Sequence, residues 1–352
     1  MGFLASGRRM TKSDPLVSVV IPNWNGKRFL EECLDSLKEQ SFRDFEVILV
    51  DNGSSDGSAD WLEGRYGHWV KVLRSKKNLG FAGGCNAGIH LARGKYIILL
   101  NNDTVVEPGW IEELIKPIEA DSAVGMCASK VLSYDRPEVL EATGELLFRD
   151  GLNRARGHLE VDRGQYDSDV EIFFPPGCGA LYRKTLLDEV GLFDEDFFAY
   201  GEDTDIGLRG RLAGWTCIYA PRAVIYHKGS GSTGRYSSFK AFYVERNRVW
   251  IALKYFPLFH LFLTPFYTLI RFFFQTYGAL THRGAAGRFT RDHSPLALLW
   301  ILLKAYGSAM RFLIRMWGKR RALRKLRRVK NEEFSEWLRR FGISAKTIAL
   351  MD

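Results

Sequence analysis

The apolar positions of this chain fall first into short buried runs alternating with helical stripes. LVSVVI (16–21), FEVILVD (45–51), VKVLR (70–74) and YIILL (96–100) have the length and β-branched content of strands. Between them Phe29, Leu30, Cys33, Leu34 and Leu37 recur at helical spacing. SADWLEGRY, a stretch near 83–92 and PGWIEELIKPIEA (108–120) continue the helical pattern, the last with proline in its first turn. This βαβα order predicts an α/β fold with a largely parallel sheet covered on both faces. Ligands of such sheets gather beyond the carboxyl ends of the strands. That rule puts the weight on PNWNG, DNGSSDGS, NLGFAGG and NNDT.

Residues 130–175 lose this rhythm, with a hairpin expected near ELLFRDGLNRARG. Order returns with GALYR, the acid-rich YGEDTDIGLRGRLAGW, and the strand pattern TCIYAP…AVIYH. Beyond residue 240 the pattern changes again. Residues 249–274 and 294–317 are strongly apolar yet carry interior Lys, Arg or His, and their uncharged runs fall short of the ~20 residues that span a bilayer. Lys304, Arg311 and Arg315 share one helical face, leaving Trp300, Leu303, Tyr306 and Phe312 for the other. GKRRALRKLRRVK (318–330) follows with eight basic residues. An in-plane helix beside anionic headgroups accounts for both features. A helical core with a solvated basic face is the plainer reading.

Charge sharpens the division. Residues 1–227 carry 26 Lys+Arg against 35 Asp+Glu, net −9; residues 228–352 carry 24 against 6, net +18. An acidic body thus joins a basic, surface-seeking tail. Nucleic acid is not the expected partner, since the basic run adjoins no recognition motif. Five cysteines without a C-x-x-C pair argue for reduced thiols and against a disulfide framework or zinc knuckle. No signal peptide is expected at the amino terminus, although Gly2 and Ser6 match a myristoylation pattern.

The candidate chemistry lies after the strands. Asp51 can accept from the imide N–H of a uracil or thymine, or simply close a βα turn. No G-x-G-x-x-G follows the first strand and no Walker lysine is present, which disfavours a dinucleotide site and an ATPase. Gly80, Gly83 and Gly84 open a helix whose N-terminus favours phosphate. Asp103, emerging from a buried strand, suits Mg²⁺ or Mn²⁺ shared with substrate phosphates. His227 supplies a further ligand if its strand lies beside Asp103. Glu202, Asp203 and Asp205 crowd one helix start. One acid suffices for capping, so the crowd suggests a general base of raised pKa.

Together VSVVIPNWNG, VDNGSSDGS, NLGFAGGCN, LLNNDTVVEPGW, GALYR, GLFDEDFFAYGEDTDIGLRGRLAGW and YHKGSGST resemble, in order over residues 15–232, glycosyltransferase family 2. The variant resembles its bacterial rhamnosyltransferase branch, where NND and a following YxxRN (Tyr243 to Asn247) are usual. The resemblance implies a GT-A, Rossmann-like fold, mixed but mostly parallel, and inverting transfer from a dTDP- or UDP-sugar. It places Pro22, Asn23, Asn25, Asp51, Asn78, Gly80, Asn101, Asn102 and Arg246 around the sugar nucleotide and Asp103 with His227 on the metal. Asp203 would be the base, with Glu202 beside it and Asp205 in reserve. One acid stands where the common D-x-D triplet has two, which weakens the expected grip on metal.

The expected organisation is a flexible 1–14, a catalytic domain over 15–245 and a helical, membrane-associating region over 246–352. The expected activity is transfer of a sugar, such as rhamnose, to a lipid-linked glycan at the cytoplasmic face of a membrane, as a monomer or an oligomer. A degenerate, non-catalytic membrane scaffold and a sugar-nucleotide pyrophosphorylase are the rivals. The latter lacks its G-x-G-T-R loop here.

Overall fold

The four early apolar runs form β1 (Val17–Asn23), β2 (Phe45–Asp51), β3 (Val70–Arg74) and β4 (Tyr96–Leu99), side by side and parallel. The computed structural model describes residues 14–168, 170–229, 237–292 and 294–351. Gly2, Ser6 and part of YHKGSGST lie outside the described residues. The remaining strands are β5 (Thr104–Val106), β6 (Val124–Ser133), β7 (Leu140–Ala142), β8 (Glu145–Leu147), β9 (Asn153–Ala155), β10 (Ala180–Arg183) and β11 (Thr216–His227). β8 and β9 form the hairpin expected from the sequence. The others make a nine-stranded sheet ordered β3-β2-β1-β4-β10-β6-β11-β5, with β7 against β6.

Pairing directions decide what meets at one sheet edge. β6 and β11 run with β1 to β4, whereas β10 and β5 run against their neighbours. The carboxyl ends of β1, β2, β4 and β11 therefore share an edge with the amino ends of β5 and β10. Asn23 sits opposite Asp51, and His227 opposite Thr104. Alternation along β1 sends Val17, Val19 and Ile21 to one core and Val20 to the other. Helices α1 (Lys27–Lys38) and α4 (Trp110–Ala120) cover the first face. Helices α3 (Gly80–Leu91), α5 (Lys184–Val190) and α6 (Glu202–Leu212) cover the second, and α2 (Ser58–Tyr66) flanks β3.

The carboxyl-terminal third comprises α7 (Ser238–Tyr255), α8 (Leu258–Thr281), α9 (Gly284–Asp292), α10 (Pro295–Arg311), α11 (Leu313–Leu323), α12 (Asn331–Arg340) and α13 (Ala345–Leu350). It is not a detached appendage. A third core joins Phe173, Phe174, Phe197 and Leu208 of the body to Trp250, Tyr255, Phe334 and Trp337. The boundary expected at 245/246 falls inside α7 and is corrected accordingly. Arg271, within the apolar α8, is fully buried between Asp150 (2.7 Å) and Glu245 (2.7 Å), and Arg248 pairs with Glu245 at 2.7 Å.

The outward side is apolar. Phe259, Phe262, Phe266, Leu269, Phe273 and Leu280 of α8 are exposed, Phe262 by 82%. Leu296, Leu299, Trp300, Leu303 and Met310 of α10 are exposed as well. The two-faced arrangement expected for α10 differs in detail. Lys304 and Arg311 share the exposed side with Trp300 and Leu303, while the Tyr306 hydroxyl turns inward to Arg248. Among the described residues no single helix is long and apolar enough to cross a membrane. One pair, 296–311 with 313–323 bent by 57°, meets that test together.

Candidate active site

The shared sheet edge opens into a cleft of about 1380 Å³ lined by Pro22, Asn23, Asn78, Gly80, Asn101, Asn102, Asp103, Glu202, Asp203 and His227. Sequence reasoning singled out each of these, and the sheet order brings them together. Asn102 donates its amide to Asn23 Oδ1 at 2.6 Å, and Asn23 donates to Ser58 Oγ at 3.0 Å. This interlocks the turns after β1, β2 and β4. Gly26 is required there: a Cβ would lie 1.9 Å from Asn102 Nδ2. Asn52 bonds Gly80 O (2.9 Å), the Leu79 N–H (2.9 Å) and Asn78 (3.2 Å), fixing the loop after β3.

Asp51 and Asn25 lie just outside the lining. Asp51 is buried and accepts from Ser58 at 3.2 Å; Asn25 accepts from the Ser55 N–H at 2.8 Å. The glycines of α3 serve the protein's own packing as well as an open cleft. A Cβ on Gly80 would lie 2.4 Å from Phe198 O, and one on Gly84 would lie 3.3 Å from Pro22 Cβ.

The candidate metal site follows from the pairing of β5 with β11. Asp103 Oδ1 lies 3.3 Å from His227 Nε2, and His227 Nδ1 lies 2.7 Å from Glu141. Burial disfavours a charged imidazole, but hydrogen bonds to Asp103 and Glu141 outweigh it and push the His227 pKa up to about 10. The two carboxylates thus surround the imidazole with negative charge. Two ligand atoms near 3 Å apart suit a shared ion, with Glu141 orienting the imidazole from behind. Asn101 Oδ1, buried and without a partner among the described residues, belongs to a residue lining the same cleft. Among the described residues no three acidic, His or Cys groups converge on one point. An ion held by Asp103 and His227 would take its remaining ligands from water and substrate oxygens. Glu141, on β7, was not legible in the sequence, because residues 130–175 show no regular hydrophobic period.

The acids of α6 separate by environment. Asp203 accepts from the Gly177 N–H at 3.1 Å and the Thr204 N–H at 2.6 Å, and lines the cleft. Burial raises its pKa, opposed by those two N–H groups. Glu202 is more deeply buried, with Oε2 lacking a partner among the described residues; burial and the Asp203 charge push its pKa up to about 8. Glu145, missed in the sequence, joins them in the cleft, its pKa raised by burial and by Asp203. Asp205 is corrected as a reserve base. It is fully buried, paired with Arg209 (2.9 Å) and Lys254, and accepts from Tyr255 at 2.6 Å. A carboxylate so committed cannot reach a cleft it does not line.

Arg246 is corrected in the same way. Its guanidinium donates to Asp196 O and Phe197 O, both at 2.9 Å, and to Asn247 Oδ1 at 2.8 Å, and it stacks on Trp250. Asn247 in turn donates toward Phe197 O, Ala199 O and Tyr200 O. The pair clamps a loop in which Phe198 and Tyr200 hold φ of +64° and +65°, strained for residues with a Cβ. That loop leads through Gly201 into Glu202 and Asp203.

Residues 18–191 match the family model of glycosyl transferase family 2. Over those residues the chain is similar to that family. A Mycobacterium tuberculosis N-acetylglucosaminyl-diphospho-decaprenol L-rhamnosyltransferase is 29% identical over 251 residues, covering 64% of this chain and 79% of the relative. Glycosyltransferase GlyG of Streptococcus pneumoniae is 34% identical over 189 residues, covering 50% and 59%. The chain spans about half the length of several curated relatives it matches, 59% and 55% of two of them. The structure of GalNAc-T7 with UDP, GalNAc and Mn²⁺ shares the fold, with a TM-score of 0.55 at 16% identity, covering 85% of this chain and 58% of that one. S. aureus TarS 1-349 gives 0.52 at 17%, covering 91% of both. The glycosyltransferase fold of this chain is therefore GT-A, with a helical carboxyl-terminal extension.

Proposed function

We propose that this glycosyltransferase moves a sugar from a nucleoside-diphosphate sugar to a hydroxyl of a lipid-linked glycan, inverting the anomeric carbon. One observation carries the reading: a cleft-facing carboxylate held by backbone N–H groups, Asp203, opens into the same space as Asp103 and His227. Asp203 takes the proton of the acceptor hydroxyl as its oxygen attacks the anomeric carbon. The bond from that carbon to the diphosphate breaks, and the nucleoside diphosphate leaves with the electron pair. Asp103 and His227 would hold Mg²⁺ or Mn²⁺, whose chemistry there is to offset negative charge on the diphosphate. Asn23, Asn78 and Asn102 line the donor end, and Glu145 and Glu202 the acceptor end. The mycobacterial relative's name supports rhamnose as the sugar and a diphospho-polyprenyl glycan as the acceptor.

The apolar faces of α8 and α10, together with exposed Arg321, Arg324, Lys325 and Lys330, support seating on an anionic membrane surface, at its cytoplasmic side. No observation favours the scaffold or the pyrophosphorylase. Asp203→Asn should lower transfer by ~10³-fold or more while nucleoside diphosphate still binds in calorimetry. Wild-type turnover in that variant overturns the base assignment. Protection against thermal unfolding by a panel of nucleotide sugars, with and without Mn²⁺, identifies the donor.

A further inference from the structure

The cleft does not stop at the sheet edge. It continues between the carboxyl-terminal helices, where Phe272 and Ala279 of α8, Phe289 of α9, Leu298 and Leu302 of α10 and Ile348 of α13 line it. Leu280 and Leu299 line the same space and are also 78% and 53% exposed on the outer apolar face. One cavity thus runs from Asp203 and Asp103 to the face proposed to meet the membrane. Arg154 and Lys240 also line it, the former on β9 and the latter at the start of α7. A sugar nucleotide has no use for an apolar gallery of this kind. A hydrocarbon chain does, because each methylene taken from water or left without contacts counts.

We infer that this gallery is the seat of the acceptor's polyprenyl chain, with its phosphates toward Arg154 and Lys240 and its sugar at Asp203. The inference rests on the lipid-linked acceptor proposed above and adds to it a route and a length preference. The chain enters from the bilayer past Leu280 and Leu299. The same chain, lying in the gallery, sets how far the sugar reaches toward Asp203. Long polyprenyl acceptors are therefore preferred over short ones.

The first test uses the full chain on anionic vesicles. One probe is decaprenyl phosphate with a terminal diazirine; the other is phosphatidylglycerol with the diazirine on an acyl tail. Crosslinks of the polyprenyl probe should map to Phe272, Phe289 and Leu302, while the phospholipid probe labels only outer residues such as Phe262 and Phe266. Equal labelling of the gallery by both probes, or its labelling by neither, overturns the inference. The second test compares kcat/KM for decaprenyl- and citronellyl-diphosphate-linked sugar acceptors. The long chain should win by at least about tenfold. Ala279→Trp should erase that preference and Ala279→Ser should retain it. Transfer to both acceptors at one rate leaves the lipid-linked reading standing and refutes the gallery. Gallery labelling with no transfer to either acceptor does the reverse.

Discussion

The carboxyl-terminal helices present two opposite faces to their surroundings. Toward the body, α7 and α8 bury Glu245, Arg246, Arg248, Lys254 and Arg271, each in ion pairs or on backbone carbonyls. Away from it, α8 and α10 expose Phe262, Phe266, Phe273, Leu299 and Trp300. A water-soluble domain normally does the converse, keeping unpaired apolar surface to a few hundred Å². The difference teaches that the extension has two jobs. Its charges shape the loop leading to Asp203, the proposed base, and its apolar residues are left for something other than water.

The largest break in that comparison comes from removing an inward charge. Arg271→Met leaves Asp150 and Glu245 short of a partner inside the protein, and should cost about 3–5 kcal/mol in urea unfolding. A loss under 1 kcal/mol would mean that the inner face is only loosely fitted. Asn247→Ala acts closer to the chemistry. Losing the bonds toward Phe197 O, Ala199 O and Tyr200 O frees the strained loop before Asp203. We expect kcat to fall about 100-fold, as for a misplaced catalytic group, with donor KM changed less than threefold. Equal damage to both constants would make the clamp a matter of folding alone.

The outer face is tested by Phe262→Asp. Its ring has little protein to pack on, so the unfolding temperature should hold while partition onto anionic vesicles drops about tenfold. Loss of fold without loss of vesicle binding would place that ring in the core.

Much of the body was legible, because a strand buried on both faces and an amphipathic helix have different periods. FEVILVD became β2 residue for residue, and Asn23, Asn78, Gly80, Asn102 and Asp103 after the strands reached one cleft, though Asp51 and Asn25 did not. What stayed hidden depended on pairing. Sequence cannot show that β10 enters between β4 and β6, which brings the Gly177 N–H to Asp203. Nor could it show that Asp203 and Asp205, two residues apart on α6, would face cleft and core. Helical rotation separates such neighbours by most of a half-turn. Arg246 misled for the same reason: a cation near a diphosphate site looks like a ligand until its carbonyl partners are seen.

The smallest expected effect concerns the proton of Glu202. Glu202 has a pKa raised from 4.5 to about 8, through burial first and the Asp203 charge second. Between those values the folded protein keeps a proton that the unfolded chain has released. Stability from this group is therefore fully present below about pH 4.5 and is lost as pH rises through about 8. Its slope cannot exceed about 1.4 kcal/mol per pH unit, the value for one proton. Glu202→Gln keeps the shape, removes the proton and should flatten the fall of unfolding free energy between pH 6 and 8. A variant as steep as wild type would show Glu202 already ionised there. A protonated Glu202 also leaves the negative charge of the pair on Asp203, where a base needs it. The pH at which wild-type kcat/KM declines on the alkaline side should then shift or vanish in Glu202→Gln, while the acid limb set by Asp203 persists.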